Sequence, residues 1–118
     1  METEKSIDNS RELTILTWGK AARKYKPDNT EKNWSIEMIS INDLYLKKIN
    51  GKNPIIQNRL LIESNFIKLL KGIVKEIEEN NYKTISICCT HGRHRSVATA
   101  EILKKLYYPN ATINHLDL

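Results

Sequence analysis

Residues 82–103 read YKTISICCTHGRHRSVATAEIL. Within them, residues 84–89 (TISICC) form an unbroken apolar run, the mark of a strand buried on both faces. Residues 96–107 follow with helical spacing and are stopped by Pro109. Between the two lies CCTHGRHRS, residues 88–96, which puts a glycine, two arginines and two histidines into a connector of a chain with only four glycines. A buried strand, a short basic loop and a helix in immediate succession predict one crossover unit of a parallel α/β sheet.

The flanking sequence extends that unit. Residues 12–18 (ELTILTW) are rich in β-branched and aromatic residues and end at Gly19, so they are read as a first strand. Residues 20–25 are read as a short helix stopped before Pro27, and KPDNTEKN (residues 26–33) as a loop. Residues 35–41 (SIEMISI) alternate apolar and polar and predict a second strand. After the connector NGKNP (residues 50–54), residues 57–80 carry Leu60, Leu61, Phe66, Leu70, Ile73, Val74 and Ile77 at helical spacing, with a break at Glu63-Ser64-Asn65 because Ser and Asn favour caps. Glu101 and Lys105 on the last helix form an expected i, i+4 pair, and ATINHLDL (residues 111–118) is the last strand. The expected fold is α/β: a single small domain of about four mainly parallel strands joined by right-handed crossovers and flanked by helices, with an anion-binding loop between the third strand and the last helix. Residues 1–10 are read as a disordered tail and residues 11–118 as the domain.

The totals agree. The chain has 118 residues, suited to one core, and 40% of them are hydrophobic. No apolar run is long enough to cross a bilayer. The polar, acidic start METEKSIDNS is unlike a signal peptide, so a cytoplasmic location is expected and no membrane partner. Two adjacent cysteines, Cys88 and Cys89, make no disulfide framework, and the triplets at Asn33 and Asn110 are read as accidental glycosylation patterns. The formal charge of +5 suits a polyanionic ligand, although scattered lysines are also the ordinary solvated surface.

The chemistry resides in residues 88–96. The first N–H groups of a helix have no intrahelical partner, and the helix dipole places partial positive charge there. Gly92 lets the backbone curl so that several N–H groups converge. Arg95 offers a planar fork for a phosphate, Ser96 can cap the helix or donate to the anion, and Thr90 and His94 add further donors. Cys89, His91 and His94 lack a second ligand cluster, so no metal is expected, and no cofactor either.

Two resemblances rest on these residues. Cys89, five residues, Arg95 and then Ser96 resemble the signature loop of the cysteine-dependent phosphatases. That likeness implies Cys89 as thiolate nucleophile, Arg95 as phosphate ligand, and a general acid from another loop, with Asp28 or Asp43 as candidates. The residue before Cys89 is Cys88, where that family usually has a histidine. The second likeness is longer. YKTISICCTHGRHRSVATAEIL resembles the strand, the Cys-Thr-Gly-Gly-x-His-Arg-Ser-Val loop and the Ala-Glu helix of the C-terminal domain of the RapZ family, bacterial RNase adapter proteins. LTILTWGK is similar to that family's first strand and Ser-Phe-Gly turn, and NHLDL to its final strand.

The RapZ resemblance implies an α/β domain that binds RNA and a phosphorylated amino sugar. Carried over residue by residue, it implies a phosphate cradle of Thr90, His91, Gly92, His94, Arg95 and Ser96, faced by Trp18, Gly19 and Lys20, with His115 contributing from the last strand. It further implies a possible homodimer and a ribonuclease or kinase-like partner. His91 stands where the family has glycine, and the family's Asp-Val-Arg strand end is replaced by Glu37-Met38-Ile39. No glycine-rich phosphate loop of the family's kinase-like domain is present, so a stand-alone domain is expected. A binding module is the first expectation, an enzyme using Cys89 and Arg95 the second, and a protein-interaction module the third. The bland readings are Cys88 and Cys89 as strand residues, Trp18 as core and His115 as a hydrogen-bonded strand histidine.

Overall fold

The computed structural model describes residues 7–36 and 49–118. Among the described residues seven elements follow in order: β1 (Thr14–Gly19), β2 (Lys32–Ser35), α1 (Pro54–Leu61), α2 (Ser64–Asn80), β3 (Thr84–Cys89), α3 (Arg95–Leu106) and β4 (Thr112–His115). The four strands form one sheet in the order β2-β3-β1-β4, and every pairing is parallel. The expected α/β class, strand number and parallel pairing are observed.

β3 occupies residues 84–89, and five of its six residues are buried, as an apolar run covered on both faces requires. Its register with β1 pairs Ile15 with Ile85 and Gly19 with Cys89, so the two central strands end side by side. The chain leaves β1 toward β2 and leaves β3 toward β4, in opposite directions across the sheet. Open α/β sheets bind ligands outside the carboxyl ends of their strands, where the loop after β3 lies.

The helices follow from their sequences. Asn53 caps α1 by accepting the Ile55 N–H, with Pro54 in the first turn, so the helix starts three residues before the expected residue 57. The expected break is present: α1 ends at Leu61 and α2 begins at Ser64. Phe66, Leu70, Ile73, Val74 and Ile77 form the buried stripe of α2, and Asn81, in the left-handed region at φ 54°, ends it. α3 lies between the sheet and α1, so Ser96, Val97, Ala98, Thr99 and Ala100 are all buried, and small side chains permit that close approach.

Three expectations are corrected. Residues 20–25 are not a helix. The Ala22 and Arg23 N–H groups both bond to the Gly19 carbonyl, making one tight turn that goes no further. β2 begins at Lys32, inside the expected loop, because Asn33 and Trp34 pair with Ser86 and Ile87 of β3. The ladder continues through the Ile36 N–H to the Cys88 carbonyl, and the rest of the expected strand, residues 37–41, lies outside the described residues. Glu101 and Lys105 do not pair: Glu101 meets His115 at 3.1 Å, and Lys105 donates to Gln57 Oε1 at 2.7 Å.

Far from the ends of the strands, a buried carboxylate ties the start of the described chain to the core. Glu78 accepts from Arg11 Nε at 2.6 Å, from the Asp8 N–H at 2.9 Å and from the Tyr108 hydroxyl at 2.7 Å. Burial opposes its charge, but these donors outweigh burial and hold the carboxyl below its ordinary range. Burial and the bond to Glu78 push the Tyr108 hydroxyl up. On the sheet face opposite α3, Asn33 Oδ1 accepts from Trp18 Nε1 at 2.9 Å and from Ser86 Oγ at 2.8 Å, which satisfies a second buried polar cluster.

Candidate functional site

Gly92 has φ 72°, a left-handed conformation that side chains with a Cβ adopt at a cost. It also lies directly on Gly19. A Cβ on Gly92 would come 2.7 Å from the Gly19 nitrogen, and a Cβ on Gly19 would come 2.3 Å from the His91 carbonyl carbon. The loop is therefore seated main chain on main chain at the end of β1. Two further bonds extend the contact: the Lys20 N–H donates to the Cys89 carbonyl at 3.0 Å and the Ala21 N–H to the Thr90 carbonyl at 2.8 Å.

Inside the loop the Gly92 N–H donates to Cys89 Sγ at 3.3 Å, and Ser96 Oγ lies 3.2 Å from the same sulfur. Ser96 is the second residue of α3 and fully buried, so it is not the helix cap. His94 holds the cap position but makes no side-chain cap bond, because its ring Nε2 pairs with the Ile49 carbonyl at 2.6 Å. Arg95 reaches back over the loop, and its Nη2 donates to Thr90 Oγ1 at 3.3 Å. Thr90, Gly92 and Arg95 are thus brought together around the start of α3, with His91 and Arg93 exposed at the rim. The first N–H groups of a helix carry partial positive charge, so the guanidinium and the first turn of α3 put positive charge on the same side of the loop.

Other expected site residues lie elsewhere. Trp18 lends its main chain to the seat, but its indole is buried and donates to Asn33. Lys20 is exposed on the adjoining turn. His115 is committed at both ring nitrogens, to Thr17 Oγ1 at 2.7 Å and to Glu101 Oε1 at 3.1 Å, with its side chain only 8% exposed. Asp43 lies outside the described residues, and Asp28 is in the loop before β2.

Two residues at the site were not singled out from the sequence. Asp117 Oδ2 accepts the Gly19 N–H at 2.8 Å, and its Cβ would lie 3.0 Å from a Cβ on Gly92. Arg23 grips the same carboxylate with both sides of its fork, Nη2 to Oδ1 at 2.8 Å and Nε to Oδ2 at 2.9 Å. The bond from Arg23, opposed by burial and helped by the Gly19 N–H, keeps the Asp117 carboxyl below its ordinary range. The only sequence signal was an acidic residue two positions after His115 in NHLDL and an arginine in the turn after Gly19.

A glycine-seated loop between a strand and a helix, at the carboxyl ends of a four-stranded parallel sheet, defines a small α/β domain. The family model for the RapZ C-terminal domain matches residues 43–118, well over half the chain, and the chain belongs to that family. Similar curated proteins include a nucleotide-binding protein of Oleidesulfovibrio alaskensis, 37% identical over 64% of this chain and 31% of that protein. A nucleotide-binding protein of Geobacter metallireducens is 35% identical over 52% of this chain and 25% of its own length. Another, from Rhodospirillum rubrum, is 29% identical over 87% of this chain and 36% of its own length. The chain thus spans about a third of the length of these relatives or less. Among the described residues no helix is long and apolar enough to cross a membrane, and no group of three or more metal-binding side chains occurs.

Proposed function

We propose that this domain is a binding module for phosphorylated ligands, RNA and/or a phosphorylated amino sugar, held by the β3–α3 loop. One observation carries the reading. Gly92, in a left-handed conformation, folds the loop onto the end of β1 while Arg95 turns back over the uncapped start of α3. The guanidinium and the Thr90 hydroxyl meet at 3.3 Å beside the N-terminal turn of a helix, and a guanidinium with helix N–H groups is the donor set that a phosphate takes. Membership of the RapZ C-terminal family and the nucleotide-binding description of the relatives support a phosphate-bearing ligand. The ligand is cytoplasmic in this reading, and a ribonuclease or a kinase-like protein is the partner class. The test is calorimetric titration and thermal shift with inorganic phosphate, sugar phosphates and short RNAs. Wild type gains stability with added ligand as mass action requires, and Arg95→Ala loses that gain while melting within about 1 kcal/mol of wild type. Undiminished binding by Arg95→Ala refutes the reading.

A second reading has its own support. Cys89 Sγ receives the Gly92 N–H at 3.3 Å and lies 3.2 Å from Ser96 Oγ, which seats the sulfur inside the loop of the Cys-x5-Arg pattern. Against it, Cys89 is only 2% exposed, and the carboxylate at the loop, Asp117, is held ionised and so is unsuited to donate a proton. Hydrolysis of an aryl phosphate by wild type and its loss in Cys89→Ser would establish the phosphatase; no hydrolysis by wild type removes it.

A further inference from the structure

Asp117 presents an unusual feature for a site proposed to attract anions: a carboxylate packed against the middle of the loop. Its oxygens are held by a main-chain N–H at a strand end, Gly19, and by the two-sided fork of Arg23. A phosphate oxygen takes the same kinds of donor. The side chain of Asp117 is 9% exposed and that of Arg23 40%, so the carboxylate is fixed and the guanidinium opens to solvent.

We propose that Asp117 is an internal counter-anion that sets how strongly the β3–α3 loop attracts charged ligands, with Arg23 as the cation it restrains. The proposal rests on the loop being the anion site. The sign of the effect follows from what each partner contributes. The loop keeps its shape without the Asp117 charge, because the contact of Gly19 with Gly92 and the bonds from Lys20 and Ala21 to Cys89 and Thr90 are main chain throughout. An asparagine at position 117 retains an oxygen for the Gly19 N–H. What it removes is one negative charge a residue's width from Gly92, and it releases the positive charge of Arg23. Asp117 is therefore a specificity-determining residue: it opposes highly charged ligands more than singly charged ones.

The test titrates inorganic phosphate and pyrophosphate into wild type, Asp117→Asn, Arg23→Gln and Arg95→Ala at low salt, with melting followed in parallel. Asp117→Asn is expected to bind about tenfold tighter, with the larger gain for pyrophosphate and a gain that shrinks as salt rises. Arg23→Gln is expected to bind several-fold weaker, since it leaves the carboxylate unbalanced. Opposite signs in the two variants are the signature, because a merely structural clasp weakens binding in both. Weaker or unchanged binding by a cooperatively melting Asp117→Asn overturns the proposal. If that variant does not fold, Arg23→Gln decides alone, and unchanged or tighter binding there overturns it. Absence of binding in both wild type and Asp117→Asn overturns it as well. Arg95→Ala separates the two ideas: lost binding in that variant keeps the loop as the site even where Asp117→Asn is silent, and retained binding sinks the loop itself and the counter-anion with it.

Discussion

Placing a methyl group on Gly19 tests the contact on which the whole loop rests. In Gly19→Ala the new Cβ would lie 2.3 Å from the His91 carbonyl carbon and 2.6 Å from both the His91 oxygen and the Gly92 nitrogen. All three are main-chain atoms, so no side chain can swing aside. Overpacking of this kind costs about 1–3 kcal/mol. Gly92→Ala adds a second cost, because φ 72° penalises an L side chain by about 1–2 kcal/mol and its Cβ would meet the Gly19 nitrogen at 2.7 Å. It should therefore lose about 2–5 kcal/mol, which lowers the melting temperature by roughly 8–20 °C at about 4 °C per kcal/mol for a domain of this size. Gly72, inside α2 with open space around it, is the control: Gly72→Ala should gain about 0.5–1 kcal/mol from helix propensity. Urea unfolding of the three variants and of the Gly19→Ala/Gly92→Ala double variant measures all of this. The double should cost less than the sum, since a loop already pushed off its seat has less contact to lose. A loss below about 1 kcal/mol in Gly92→Ala, or strict additivity in the double variant, would refute the seating described here.

Glu78→Gln should cost about 2–3 kcal/mol at neutral pH by ending the charge-assisted bonds from Arg11, and urea melts would show it. Because the folded carboxyl of Glu78 is held below its unfolded value of about 4.3, its contribution is complete above that value and is lost as pH falls through the folded value. The gap between wild type and Glu78→Gln should accordingly narrow in acid, and a gap constant from pH 7 to pH 2 contradicts the assignment. Thr17→Val keeps the shape of the β1 core but strands His115 Nδ1, so about 1–3 kcal/mol should be lost in the same assay. No loss would mean that the Thr17 bond contributes nothing.

The sequence was most legible where one force dominated. The β3 run and the stripe of α2 are hydrophobic patterns with no competing signal, and both elements stand within a residue or two of where the pattern put them or, for α2, where the break divided it. The place of the loop was legible because Thr90 to His94, with Gly92 among them, interrupt the apolar run of β3 before the helical spacing of α3 begins. Residues 32–34 were not legible as strand, because Lys32-Asn33-Trp34 has loop composition and becomes a strand only through its ladder with β3. The turn at residues 20–23 carries good helix formers, yet two N–H groups converge on the Gly19 carbonyl and the chain turns away. Asp117 and Arg23 lie 94 residues apart, and Asp117 and Gly19 lie 98 apart. No local pattern announces such partners; parallel pairing of β1 with β4 brings them together.

That separation bears on how the molecule is made. The neighbour of β1, β4, is translated more than ninety residues after it, so one side of β1 has no partner until synthesis has passed β4. Until then the nascent chain carries an open central strand and an arginine without its carboxylate. Such late, long-range closure is slow and leaves sticky edges exposed meanwhile.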